Sequence, residues 1–216
     1  MAGAVDFKKQ NKELYMPPTT PGLVEVPTMR FLMVDGHGDP NTSQAYHAAV
    51  DALYALSYTI KMSKMGSQLS PGYFDFVVPP LEGLWWSLEE NVDWTAGGYD
   101  KSKFTWTSMI RQPDFVNPEV LEQSKFIAAK KKPEVDTGLV RLEEYAEGLC
   151  VQIMHIGPYD DEPATIQRMD AFVYQQGYVM DFSPSRGHHE IYLGDPRKTA
   201  PEKLKTVIRH PVRPGV

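Results

Sequence analysis

The 216-residue chain carries 22 basic against 28 acidic residues, a formal charge of −6, and no long basic run. Phosphate binding needs a concentrated positive face, so nucleic acid is not an expected partner. One cysteine, Cys150, excludes an intramolecular disulfide and fits a reducing compartment. The opening MAGAVDFKKQNKELY has no apolar signal core, and no apolar run is long enough to cross a bilayer. The expectation is a soluble, cytoplasmic protein without a membrane partner.

In chain order, FLMVDGHGDP predicts a strand and a Gly/Pro turn. A helix follows, capped by Asn41 or Ser43, with Tyr46, Ala49, Val50, Leu53 and Leu56 on one face. GYFDFVV from Gly72 has the look of a strand. PPLEGLWW predicts another, leading through a loop with Gly97 and Gly98 to a strand from Lys103 to Ile110. NPEVLEQSKFIAAKKKP predicts a helix capped by Asn117, with Pro118 in its first turn and lysines at its C-terminus. A strand near Leu139–Tyr145 precedes GLCVQIMH, where Cys150 is expected to be an inert buried thiol.

Asp160, Asp161 and Glu162 suit the N-terminal dipole of a further helix, which has Pro163 in its first turn, Ile166, Met169, Phe172 and Val173 as its stripe, and Gly177 as its stop. GHHEIYL is a strand, and APEKLKTVIRHPV gives a short helix and a closing strand from about Thr206 to Pro211. The pattern around Gly38 recurs around Gly157: apolar strand, acidic Gly/Pro turn, amphipathic helix. Tyr58 then matches Tyr178, and GYFDFVV matches GHHEIYL, which puts Asp75 in the place of Glu190.

These elements predict an α+β fold of two tandem β-α-β-β repeats, approximately 23–110 and 139–212, within a single domain spanning 1–216. The repeats are expected to meet about a pseudo-twofold axis, with an antiparallel sheet, helices mainly on one face and a central groove suited to a small ligand.

The period of two places His188, Glu190 and Tyr192 on one face of their strand and His189 and Ile191 on the other. If Ile191 and Leu193 pack beneath the helices, Glu190 points into the groove; otherwise it is an ordinary carboxylate on a wet face. Trp85, Trp86, Trp94 and Trp106 crowd one segment. Trp106 shares a face with Phe104 and Ser108, while Trp85 and Trp86 point oppositely, leaving open which enters the groove. An aromatic pocket around one carboxylate favours flat or cationic ligands, and desolvation there raises the carboxylate's pKa toward general acid–base use. The histidines show no metal-ligand spacing, so no metal site is expected. His155 reads as a partner for its own turn or an orienter of Tyr159.

PPLEGLWW from Pro79, VQIMHIGPYDDEP from Val151 and GHHEIYLGDPRKTAPEKLKTVIRHPV from Gly187 resemble the stand-alone GyrI-like small-molecule-binding proteins, over about 6–212. The resemblance implies a tandem SHS2-type fold related to the effector-binding domains of multidrug-responsive regulators, in which a carboxylate in an aromatic pocket meets planar or cationic drugs. Glu190 matches that carboxylate. The N-terminal segment does not fit a helix-turn-helix, so direct transcriptional control is not expected.

Members carrying EGLWW resemble cyclopropanoid cyclopropyl hydrolases, which open the strained ring of DNA-alkylating compounds without a cofactor. That likeness implies Glu190 as the acid/base or water-orienting residue and Trp85, Trp86 and Trp106 as an aromatic cage. Tyr145, Tyr159, His188 and Tyr192 are further candidate substrate contacts. Two other readings stand beside the hydrolase: a non-catalytic binder that sequesters or senses xenobiotics, and an inhibitor acting on another macromolecule.

Overall fold

The computed structural model describes residues 3–63, 70–87 and 93–215. Two single-turn helices, α1 (Phe7–Gln10) and α2 (Lys12–Tyr15), precede β1 (Gly22–Val26) and β2 (Met29–His37). Then come α3 (Gln44–Met62), β3 (Leu81–Ser87), β4 (Phe104–Gln112) and α4 (Pro118–Lys131). The remainder is β5 (Arg141–Tyr145), β6 (Gly148–Ile156), α5 (Glu162–Gln175), β7 (Tyr178–Met180), β8 (His188–Tyr192) and β9 (Lys205–Pro214).

Local chemistry accounts for the boundaries. The Ser43 side chain, rather than Asn41, accepts the Tyr46 N–H at the start of α3, and Asn117 accepts from Val120 ahead of Pro118 in α4. Gly38 and Gly157, just beyond β2 and β6, have φ of 99° and 140°, a region that side-chain-bearing residues rarely adopt.

The sheet is antiparallel, in the order β1-β6-β9-β8-β3-β4-β2-β5, with β7 on β9. Outward from the central β8–β3 pair, β8-β9-β6 repeats β3-β4-β2, which is the pseudo-twofold arrangement of an α+β fold. Gly22 pairs with Gln152 and Val26 with Gly148. The same register continues with Met29 opposite Tyr145 and Met33 opposite Arg141. Thus β1–β2 and β5–β6 keep one register across a two-residue break in each, a ribbon that crosses between the halves.

Helix α3 packs on β2 and β4, α5 on β6, and α4 on α3. Ile166, Met169 and Val173 of α5 share a cluster with Val151, Ile153 and Ile208, so α5 covers the sheet face to which Ile208 and its register partner Glu190 belong. The opposite face holds a buried ionic network closed by α2. His189 Nδ1 lies 3.0 Å from Glu147, and its Nε2 lies 3.1 Å from Glu82. Arg209 donates to Glu147 at 2.9 Å and to the Leu14 carbonyl at 2.8 Å. Tyr15 donates to Glu82 at 3.2 Å. An N-terminal segment that carried no sequence pattern therefore acts as a plug.

Three expectations are corrected. Residues Gly72–Val78 form no strand: Phe76 makes only an isolated bridge to Val5. The counterpart of β8 in the first repeat is therefore β3, so Asp75 does not hold the place of Glu190; Gly83 of β3 stands opposite Glu190. Ile191 does not lie beneath the helices either; it shares the network face with His189, because it is Glu190's side of β8 that α3 and α5 flank.

Gly36 has a different reason to be glycine. A Cβ there would sit 2.3 Å from the Trp106 ring. Overpacking of this kind costs about 1–3 kcal/mol, so Gly36→Ala is expected to lower the urea midpoint accordingly. An unchanged midpoint contradicts the close approach.

Candidate functional site

Register builds the site. Trp85 stands opposite His188 on one side and opposite Trp106 on the other, so all three, with Glu190, share the face between α3 and α5. Glu190 Oε1 lies 2.8 Å from His188 Nε2, and Oε2 accepts from the Tyr192 hydroxyl at 2.6 Å. The Trp85 indole N–H in turn donates to Tyr192 at 3.0 Å. Gly83 leaves the room this requires: a Cβ there would come within 2.7 Å of Trp85 Nε1 and 3.3 Å of the Tyr192 hydroxyl.

Aromatic rings wall the carboxylate. Tyr46 of α3 stands 5.8 Å from Trp85 and meets Trp106 edge-on at 5.0 Å. Tyr159 meets Tyr192 edge-on at 5.7 Å. Trp94 stacks on His188 with ring centres 4.4 Å apart and planes 13° off parallel. The first turn of α5 brings in Glu162, which is 5 % exposed.

The two carboxyls are driven apart in acidity. Burial, then the negative charge of Glu190, raises Glu162 well above the ordinary carboxyl range. Burial also works to raise Glu190, but the hydrogen bond and charge of His188, with the Tyr192 hydrogen bond, outweigh it and leave Glu190 below its usual value. The expected upward shift of Glu190 is thus reversed. A neutral acid lies beside a carboxylate whose side chain is 15 % exposed. Tyr159 is pushed up to about 12 by burial and then by Glu190, so it stays a phenol.

Glu162, His188 and Glu190 each offer a ligand atom, all within 4.8 Å of one another, and could hold a divalent cation. The same atoms also serve acid–base chemistry without one: His188 and Tyr192 each engage one Glu190 oxygen, and each oxygen keeps a further lone pair for a proton.

Of the residues singled out by sequence, Trp85, Trp106, Tyr159, His188 and Tyr192 gather around Glu190. Trp106 is 2 % exposed and forms the wall behind Tyr46. Trp86 lies across the sheet, where its N–H donates to the Ser183 carbonyl at 3.0 Å and its ring lines an open cleft of about 540 Å³ with Asp35, His37 and Thr107. Neither Glu162 nor Glu190 lines that cleft. Tyr145 is placed elsewhere too, edge-on to Phe31 at 6.4 Å and beside Glu147 and Cys150. His155 bonds to Thr165 at 2.9 Å and faces the Pro158 carbonyl at 3.0 Å, so it holds its own turn.

Sequence reasoning missed Glu162, Tyr46 and Trp94. For Glu162 a signal existed, an acidic residue directly before a first-turn proline, but it was indistinguishable from dipole compensation.

The model of the GyrI-like small molecule binding domain matches residues 19–213. An uncharacterized conserved protein from Listeria innocua is similar at 52 % identity and TM-score 0.90, over 97 % of this chain and 100 % of that one. A protein named a hydrolase, also from Listeria innocua, is 51 % identical with TM-score 0.88 over the same shares. The EcmrR C-terminal domain, 12 % identical with TM-score 0.53 over 91 % of this chain and 98 % of its own, shares the fold. No curated protein matches. With the family model matching residues 19–213, nearly the whole length, the chain belongs to the GyrI-like small-molecule-binding domain family.

Proposed function

We propose that the protein is a detoxifying hydrolase that holds flat, aromatic or cationic xenobiotics between α3 and α5 and opens an electrophilic cyclopropane with water. The observation that carries this reading is the split carboxyl pair: a half-buried carboxylate, Glu190, beside a buried neutral acid, Glu162, under aromatic walls. Two relatives named hydrolases, at 51 % and 50 % identity, support an enzyme.

In the step proposed, Glu190 takes one proton from a water as its oxygen bonds to the cyclopropane carbon. The ring C–C bond breaks, and its electron pair moves into the conjugated acceptor of the ligand, which takes a proton from solvent at the groove mouth. Trp85, Tyr46, Tyr159 and Tyr192 hold the flat ligand in a reactive pose by stacking and dispersion. Glu162 stays protonated, so that no second negative charge opposes the electron pair moving into the ligand's acceptor. The chain's own groups supply the base, and no metal-bound step is invoked.

Incubation with a cyclopropane-bearing aromatic alkylator in the presence of EDTA, followed by mass spectrometry, tests this. The expected result is more than one equivalent of hydrolysed product per protein, undiminished by the chelator. Stoichiometric binding of intact ligand points instead to sequestration.

A further inference from the structure

Glu190 occupies only one ring nitrogen of His188. The other, Nδ1, lies 2.6 Å from Nε2 of His210 on β9, and His210 Nδ1 lies 3.9 Å from Asp170 Oδ1 on α5. Both imidazoles are 1 % exposed. Trp94 lies flat on His188, and Phe182 stands edge-on over His210 at 4.9 Å, so water reaches neither ring face.

His210 Nδ1 and Asp170 Oδ1 are buried atoms with no hydrogen-bond partner among the described residues. An unpaired buried polar atom costs about 1–3 kcal/mol, and these two face each other across a gap too narrow for a water. A hydrogen bond between them needs the two atoms about 1 Å closer. Asp170 is partly open to solvent, its side chain 26 % exposed.

Two lone pairs cannot approach to 2.6 Å, so one proton lies between the imidazoles. If His210 Nε2–H donates, His188 Nδ1 accepts and Nε2–H is left to face Glu190. If instead His188 Nδ1–H donates, Nε2 must carry a second proton to avoid placing a lone pair against the carboxylate. The proton on His210 decides between these orders, and Asp170 is the group facing its far nitrogen.

We propose that His210 and Asp170 are positioning residues for Glu190, a line of hydrogen bonds from the solvent side of α5 through β9 to β8 that fixes which proton His188 presents to the carboxylate. This rests on the reading of Glu190 as the base. His210 offers the line a ring nitrogen at each end, 2.6 Å from His188 and 3.9 Å from Asp170. Burial, then Asp93, pushes Asp170 up to about 6, so it can act as either donor or acceptor.

The line is tested in the full chain with His210→Phe, which keeps ring bulk without a donor, and His210→Gln, whose amide N–H can take the place of Nε2–H. Asp170→Leu and Asp170→Asn make the same contrast at the partly exposed end. The expected result is a kcat lowered on the order of 10- to 100-fold in the Phe and Leu variants, the scale of partners that fix a histidine tautomer, with KM unchanged and most of the rate recovered in Gln and Asn. Imidazole ¹⁵N spectra give a readout that needs no turnover: His188 shifts in wild type are retained in Gln and Asn and changed in Phe and Leu. Identical His188 shifts in all five proteins overturn the proposal, as does a kcat loss that Gln and Asn fail to recover. If wild type shows no turnover, the hydrolase reading fails while the spectra still judge the line, and Asp170→Leu covers the case in which His210→Phe does not fold.

Discussion

Glu190→Gln is expected to lower kcat for cyclopropane opening by on the order of 10³-fold, within the range for removing a general base, while ligand affinity changes little. The amide keeps the shape of the carboxyl and can still accept from Tyr192, so the aromatic walls stay in place. What it loses is the ability to take a proton from water. Single-turnover mass spectrometry beside a fluorescence titration of the tryptophans separates the two effects. A variant that retains wild-type kcat removes Glu190 from the chemistry, and one that loses binding and rate together makes it a structural residue.

The second large effect concerns the opposite face of the sheet. Glu147→Gln is expected to destabilise the fold by about 3–5 kcal/mol, because breaking a buried ion pair strands its partners, here Arg209 and His189. The same network predicts the pH profile. Burial works to raise Glu147, but the charges of His189 and Arg209 outweigh it and hold its pKa at about 2 against a reference of 4.5. Its contribution is therefore complete above 4.5 and is lost as pH falls through about 2. Burial works to lower His189, but Glu147 and Glu82 outweigh it and raise its pKa from 6.5 to about 9. That contribution is complete below 6.5 and fades as pH rises through about 9. Urea unfolding should thus show this network's full stabilisation between pH 4.5 and 6.5, with a decline on either side. In Glu147→Gln the acid limb should flatten, and a wild-type profile level from pH 6.5 to 9 contradicts the ionic account of His189.

Much of the fold was legible because it is written in short-range periodicity. The stripe of Ile166, Met169 and Val173 predicted a helix that buries those residues, and alternation in GHHEIY put Glu190 with His188 and Tyr192 on one face, as observed. The repeat was legible too, but its register was not: GYFDFVV alternates as well as PLEGLWW does, and only pairing with β4 and β8 tells strand from connector.

The sequence by itself determined the α+β class, the shared strand face of His188, Glu190 and Tyr192, and the crowding of aromatic residues in one segment, because each follows from spacing along the chain. Only the tertiary structure decided that Trp85 rather than Trp86 shares the face of the carboxylate and bonds its neighbour Tyr192, and that Glu162 comes to lie beside it. It also decided that Glu190 stays the stronger acid of its pair. Those outcomes depend on which distant segments share a dry interior, where burial and a neighbour's charge act over a few ångströms of space and not along the chain.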